Sequence, residues 1–332
     1  MGRPKVSVCI PTHNRSRYLR QAIESVLRQT FGDYEVLVVD NASSDDTASV
    51  VSAFKDERVR YYRNERTVGM VRNWNRCLEF TRGECIALLH DDDFWLAQYL
   101  ERAVGVMDRH GSVGLVYSAA VVVDQEGNAR RMHRHWDTDQ VVSGHSAFKE
   151  LIGGNRVLCP TALVRRRCFD TVGVFDEGVE CGADWEMWLR ICLYYDVAYV
   201  AEPLACYRTQ HGSLIDHHSS SLEGRQFLVN DAINVVERAL NRARKAGVRD
   251  LDALAVPTLG PLRYGSGRML LVMRRWQAAR SEFRKLCALK HGRWRVAGLV
   301  GYCASLVHRD LEGLLRVIRG SGADLRRQRF NV

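Results

Sequence analysis

Three consecutive aspartates, His90-Asp91-Asp92-Asp93, come directly after the apolar stretch 86–89. Carboxylates set side by side repel one another, so a buried strand that ends on three of them needs a reason. They can gather a hard divalent cation together with substrate phosphates, or they can form a solvated loop with Asp93 capping a helix over 95–107. If strand geometry continues past Leu89, Asp91 and Asp93 point to one side and Asp92 to the other. A further acid, Asp40, ends the apolar run 36–39 and is followed by Asn41. Such a carboxylate can accept from a nucleobase N–H or a ribose hydroxyl, or cap the next helix. Pro11-Thr12-His13-Asn14-Arg15 closes the first apolar run, either as a polar binding cluster or as a turn. The dinucleotide fingerprint G-x-G-x-x-G is missing here, and no G-x-x-x-x-G-K-[ST] occurs, which excludes a P-loop.

All three clusters sit at ends of strand-like segments, and the elements between them are helical. Residues 6–10, 35–39, 59–62 and 85–89 read as strands, and 16–29, 47–54 and 70–81 as helices. Leu19, Ala22, Ile23, Val26 and Leu27 form one apolar helix face. Alternation at this spacing predicts an α/β fold with a mostly parallel sheet and helices on both faces, and ligands at the carboxyl ends of its strands. Further strands are expected at 115–123, 161–164 and 198–201, and a helix over 184–195 with Asp184 at its N-cap. Beyond His211 the strands stop, and 227–246, 269–289 and 311–319 read as helices separated by glycine-containing breaks. In the second of these, Val272, Trp276, Ala279, Phe283 and Leu286 are expected to face inward.

The 332 residues are 46% hydrophobic and 26% charged, which excludes disorder and a disulfide miniprotein. The net charge of +9 is unevenly spread: 22 basic and 8 acidic residues lie in 225–332, against 26 and 31 in 1–224. That asymmetry predicts two modules. Ten cysteines without a C-x-x-C pair suggest reduced thiols. With no run long enough for a membrane helix and no signal-peptide core, a soluble, cytoplasmic protein is expected.

Taken together, V-S-V-C-I-P-T-H-N-R (6–15), V-L-V-V-D-N-A-S-S-D-D-T (36–47), V-G-M-V-R-N-W-N (68–75) and L-L-H-D-D-D-F-W (88–95) resemble the family 2 glycosyltransferases. G-A-D-W-E-M-W-L-R (182–190) and Y-R-T-Q-H-G-S (207–213) extend the likeness to about two-thirds of the chain. The resemblance implies a GT-A catalytic domain over 1–222, with a basic helical module, 223–332, outside it. It implies an inverting enzyme that uses a nucleotide-diphospho-sugar, a UDP-sugar by expectation, with Mn²⁺ or Mg²⁺ on the diphosphate. By position, Pro11, Thr12, His13, Asn14 and Arg15 would line the nucleotide pocket, Asp40 with Asn41 would hold the uracil edge, and Arg72 would lie against the nucleotide. Asp91, beside Asp92, would face the ribose or the metal, and Asp93 would ligate it. Asp184 would be the general base, and Arg208 and His211 would lie near the diphosphate, His211 as a further candidate metal ligand. Two positions depart from the pattern: His90 stands where many members have aspartate, and Ala183-Asp184 replaces a common Glu-Asp pair.

Processive synthases of this family carry Q-x-x-R-W. The nearest approach here, Val272-Met273-Arg274-Arg275-Trp276, lacks the glutamine, so a non-processive enzyme is expected. Two other functions stay open on sequence. A sugar-nucleotide nucleotidyltransferase would need a G-x-G-x-R loop, which is absent; an inactive sugar-nucleotide binder would not need Asp184. The acceptor is expected to be a glycan or a lipid-linked glycan, with 132–139 as a candidate acceptor loop. For the basic module, nucleic acid is disfavoured by the acidic catalytic part, and the remaining partners are a second copy of the chain or an anionic membrane. The preferred expectation is peripheral association with the inner face of the membrane.

Overall fold

The protein is described from a computed structural model covering residues 2–209, 214–289 and 291–306. It divides into two units, one of 1–151 with 156–211, the other of 152–155 with 212 onward. The division at 212 precedes the sequence-based boundary at 222–223.

The first unit begins with β1 (Val6–Thr12), α1 (Ser16–Leu27), β2 (Tyr34–Asp40), α2 (Thr47–Ser52), β3 (Val59–Arg63), α3 (Met70–Phe80) and β4 (Cys85–Leu88). It continues through β5 (Phe94–Trp95), α4 (Tyr99–Arg109), β6 (Val113–Val123), β7 (Ala129–His133), β8 (Gln140–Val142) and α5 (Gly144–Leu151). It closes with β9 (Ala162–Arg165), α6 (Arg166–Val172), α7 (Ala183–Cys192) and β10 (Asp196–Arg208). The sheet order is β3-β2-β1-β4-β9-β6-β10-β5, with β7 on β6 and β8 on β10. Strands β1 to β4 pair in parallel, as do β6 and β10, and β9 runs antiparallel to both β4 and β6. The mixed α/β architecture is the expected one.

Every residue of β1 and β2 is buried, as befits strands covered on both faces. Their apolar side chains pack with Leu19, Ile23 and Val26 of α1, the face anticipated from spacing. In register, Thr12 pairs with Asp40 and Asp40 with Arg63, so three polar residues line up at one end of the sheet. The helix expected over 95–107 begins instead at Tyr99. Phe94 and Trp95 are taken by pairing with Cys206 and Ala205 of β10, so Asp93 caps no helix.

The second unit holds α8 (Leu214–Ser219), α9 (Leu222–Lys245), α10 (Leu251–Val272), α11 (Trp276–Ala288) and α12 (Gly292–Leu306). The single helix expected over 269–289 is two helices. Arg274 adopts a left-handed φ of 56°, its amide bonds to the Leu271 carbonyl, and the Arg275 amide bonds to the Leu270 carbonyl. That pair of bonds is a Schellman closure, with arginine where glycine is usual. Val272, expected inside, is 63% exposed because it lies on the last turn before this break. Ala279, Phe283 and Leu286 do form the core. The glycine-rich stretch before Met269 is helix interior: a Cβ at Gly260 would lie 2.3 Å from Trp294, and one at Gly267 2.7 Å from Phe283. These glycines admit large neighbours and do not break the helix. The helix expected over 311–319 lies outside the described residues. No helix among the described residues is long and apolar enough to cross a membrane.

Candidate active site

The end of β1 is tied to the loops that follow β2 and β4. Pro11 is buried inside β1, opposite Val39, and Thr12 is buried beside Asp40. The Asn41 amide donates to the Thr12 carbonyl at 2.9 Å, and His13 Nδ1 lies 2.9 Å from the Asn41 carbonyl. Asn14 takes a left-handed φ of 54°, a conformation asparagine tolerates. Its amide donates to Ser43 Oγ and its Oδ1 accepts from the Ser44 amide. Arg15 then reaches across, its Nη1 donating to Asp92 Oδ2 at 2.7 Å and to Asp91 Oδ1 at 3.4 Å. The 11–15 cluster is therefore a bridge between two loops.

Asp40 is buried, accepting from the Ser43 amide on Oδ1 at 2.8 Å and from the Tyr61 hydroxyl on Oδ2 at 2.5 Å. Arg63 Nε lies 3.3 Å from the same Oδ2. Asn41 spends its side-chain amide on structure, accepting from the Val68 amide and Asn64 and donating to the Val68 carbonyl. Asn64 donates in turn to Asn73, which donates to the Val39 carbonyl. This asparagine chain positions the start of α3, and with Tyr61 and Arg63 it escapes a reading of the sequence. Arg72, on α3, is exposed and pairs with exposed Glu177 at 3.4 Å.

Strand β4 stops at Leu88, and the acids form a turn closed by the Asp93 amide donating to the His90 carbonyl at 3.1 Å. Strand alternation does not apply there. Asp91 and Asp92 lie on one side with Arg15, and the His13 amide donates to Asp91 at 3.4 Å. Asp93, only 1% exposed, accepts from the Arg208 amide on Oδ1 at 2.7 Å, and its Oδ2 lies 3.6 Å from His90 Nδ1. Burial and the charge of Asp92 push the Asp91 carboxyl up to about 7 and raise that of Asp93 well above the carboxylate range. His90 is lowered by burial. His90, Asp92 and Asp93 bring ligand-type atoms within 4.8 Å of one another. Asp93 Oδ2 and His90 Nε2 are buried without a hydrogen-bond partner. Crowded, raised carboxylates with an unmatched acceptor atom suit a divalent cation. The group that forms is thus Asp93 with Asp92 and His90, whereas Asp91, one of the expected metal ligands, faces His13 and Arg15.

Arg208 holds this turn from β10. It is buried; its Nε donates to the Asp92 carbonyl at 2.8 Å and its Nη groups to the Asp124 and Gln125 carbonyls and Gln21. Tyr18 and Phe94 flank the guanidinium. With its donors spent on protein, Arg208 acts as a clamp on the acidic turn. His211 lies outside the described residues. Asp184 is the second residue of α7, not its N-cap, which is Gly182; its Oδ1 accepts from the Trp185 amide at 2.7 Å. The indoles of Trp185 and Trp188 donate to the Leu151 and Val157 carbonyls and fix the helix. The charges of Asp184 and Asp93 both act on the Cys159 thiol and the Tyr207 phenol, which burial already pushes up. Asp184 and the acidic turn therefore share one electrostatic neighbourhood.

Residues 7–173, half of the chain, match the family described as Glycosyl transferase family 2. A UDP-Glc:alpha-D-GlcNAc-diphosphoundecaprenol beta-1,3-glucosyltransferase of Escherichia coli is 24% identical over 230 residues, 69% of this chain and 86% of the relative. The fold is similar to the crystal structure of S. aureus TarS 1-349 in complex with UDP-GlcNAc, with a TM-score of 0.60, 18% identity, and 91% and 90% of the two chains covered. It is also similar to the mannosyltransferase PcManGT from Pyrobaculum calidifontis in complex with GDP-Man and Mn²⁺, with a TM-score of 0.53, 18% identity, and coverage of 96% and 85%. A mostly parallel sheet with its acids at the carboxyl ends and a family match over half of the chain lead to one conclusion: the chain belongs to glycosyl transferase family 2.

Proposed function

We propose that this chain is an inverting, non-processive glycosyltransferase that moves a sugar from a UDP-sugar to a hydroxyl of a glycan or lipid-linked glycan. The observation that carries the reading is the buried acidic turn at the carboxyl end of the sheet, where His90, Asp92 and Asp93 gather within 4.8 Å and Asp93 Oδ2 has no hydrogen-bond partner. Asp184 takes the proton from the acceptor hydroxyl as that oxygen attacks the anomeric carbon, and the bond to the diphosphate breaks on the opposite face. Asp93, with Asp92 and His90, would hold Mn²⁺ or Mg²⁺, which when bound would supply positive charge to the departing diphosphate. Arg208 and Arg15 keep the acidic turn in place from two sides. UDP-GlcNAc in TarS and the lipid-linked acceptor of the E. coli relative support the substrate classes, and Mn²⁺ in PcManGT supports the cation.

Asp184→Asn keeps shape but cannot accept a proton. Donor affinity should stay near normal while transfer falls by on the order of a hundredfold or more. A wild-type transfer rate would reduce Asp184 to a first-turn helix residue. Incubation with a sugar phosphate and UTP separates the alternatives: a nucleotidyltransferase would release pyrophosphate from UTP, whereas a transferase releases UDP from a UDP-sugar.

A lipid-linked acceptor also gives the basic helices a role as a peripheral membrane surface. Arg274, Arg275, Arg284 and Lys285 are basic positions of this unit, and α12 exposes Val296, Leu299 and Leu306 near Arg293 and Arg295. Apolar side chains flanked by arginine suit an anionic interface. Co-sedimentation with liposomes should rise with anionic fraction and fall with salt; binding indifferent to both would defeat this part.

A further inference from the structure

We infer that His90 is a nitrogen ligand of the divalent cation, so that the site is a mixed imidazole–carboxylate set that favours Mn²⁺ over Mg²⁺. This rests on the reading that the acidic turn holds a cation. Three observations aim the His90 ring at the site. His90 Nδ1 and Asp93 Oδ2 are 3.6 Å apart, too long for a hydrogen bond. Two adjacent ligands on an octahedral ion with bonds of about 2.1 Å are separated by about 3 Å, so a small inward shift places both on one ion. The Asp93 amide closes onto the His90 carbonyl, which makes the two residues the ends of one turn and keeps their side chains together. Trp74 stacks on the imidazole at 5.3 Å and 26°, and Phe175 meets Trp74 edge-on, so the ring is held in orientation.

The alternative is an imidazolium paired with Asp93. The 3.6 Å separation of Nδ1 from Oδ2 opposes it, and Nε2 lies buried without a hydrogen-bond partner, so the ring lacks a partner among the described residues. Asp93 Oδ2, buried and without a hydrogen-bond partner, has the same need from the other side. Asp92 completes the group within 4.8 Å. Imidazole is a poor ligand for Mg²⁺ and a good one for borderline ions, and carboxylate accommodates Mn²⁺, so the set shifts preference toward Mn²⁺.

The test is electron spin-echo spectroscopy of Mn²⁺ bound to the full chain with UDP. Wild type should show a coupled ¹⁴N that becomes ¹⁵N in protein labelled at histidine. The signal should be lost in His90→Asp and kept in His211→Ala. His90→Asp should still bind Mn²⁺ and should bind Mg²⁺ relatively better than wild type does. Mn²⁺ bound to wild type without nitrogen coupling overturns the ligand role and leaves the cation reading standing. Coupling that persists in His90→Asp overturns it too. Failure of wild type to bind Mn²⁺ at all overturns the cation reading itself. Should His90→Asp not fold, the labelled wild type beside His211→Ala still decides.

Discussion

Each unit holds a charge cluster around buried members, and the two clusters are built on opposite principles. In the helical unit, Arg263 of α10 is 3% exposed and donates to Glu237 of α9 and Glu282 of α11; Lys285 also donates to Glu282. Two cations meet two anions, and three helices are tied in register. At the sheet end of the first unit, Asp91, Asp92 and Asp93 are all buried, and the basic side chains set against them include Arg15 and Arg208. The Arg208 guanidinium, moreover, is spent on carbonyls and Gln21. A closed cluster of balanced charge is a device of the fold, whereas one crowded with anions is held there for something that arrives from outside.

Breaking the balanced cluster should have the largest effect on stability. Arg263→Met takes the buried partner from Glu282, which is 14% exposed, and should cost about 3 kcal/mol in urea denaturation, with nucleotide affinity unchanged. Recovery of part of that loss on adding Glu237→Gln and Glu282→Gln would mark it as a charge effect. At the acidic turn the sign reverses. Asp91 has a folded pKa raised above its unfolded value, so between about pH 4 and pH 7 the folded state binds more protons. Stability without cation should therefore fall as pH rises through that window. Asp91→Asn should flatten this profile and raise stability at pH 8 by about 1–2 kcal/mol, while weakening nucleotide binding. A loss of stability at pH 8 would equate the two clusters. The smallest effect is expected at Arg72→Ala, where an exposed pair with Glu177 is worth about 0.5 kcal/mol or less. Donor affinity should nonetheless fall if Arg72 lies against the nucleotide. An unchanged affinity would remove it from the site.

What the sequence makes legible is whatever depends on neighbours along the chain. The buried runs 6–10 and 35–39 announce covered parallel strands, and the periodic face of α1 announces its packing side. The acids at the strand ends stand out because nothing in a core explains them. Distant pairings stay hidden. Nothing beside Asn41 in the sequence signals that Asn64 and Asn73 will complete a hydrogen-bonded chain with it, and nothing beside Asp93 signals that the Arg208 amide will hold it. In the helical unit the local rules mislead. Gly260 and Gly267 read as punctuation because the bulk that requires them, Trp294 and Phe283, lies elsewhere in the sequence. The Arg274 turn breaks an otherwise continuous apolar period, since arginine carries no signal for a left-handed residue.

The place of β9 in the sheet has a consequence for synthesis. It lies between β4 and β6, yet it is made after both, so the middle of the sheet is the last of the three to leave the ribosome. Until residues 162–165 emerge, β4 and β6 each keep an edge that no earlier strand of the sheet can pair. At translation rates of about 5–20 residues per second, β4 waits roughly 4–15 s for its partner. Apolar edges left open that long invite pairing with other nascent chains. Chaperone dependence of this protein should accordingly be cotranslational, falling when β9 slots into the gap and ending when β10 closes the other edge of β6.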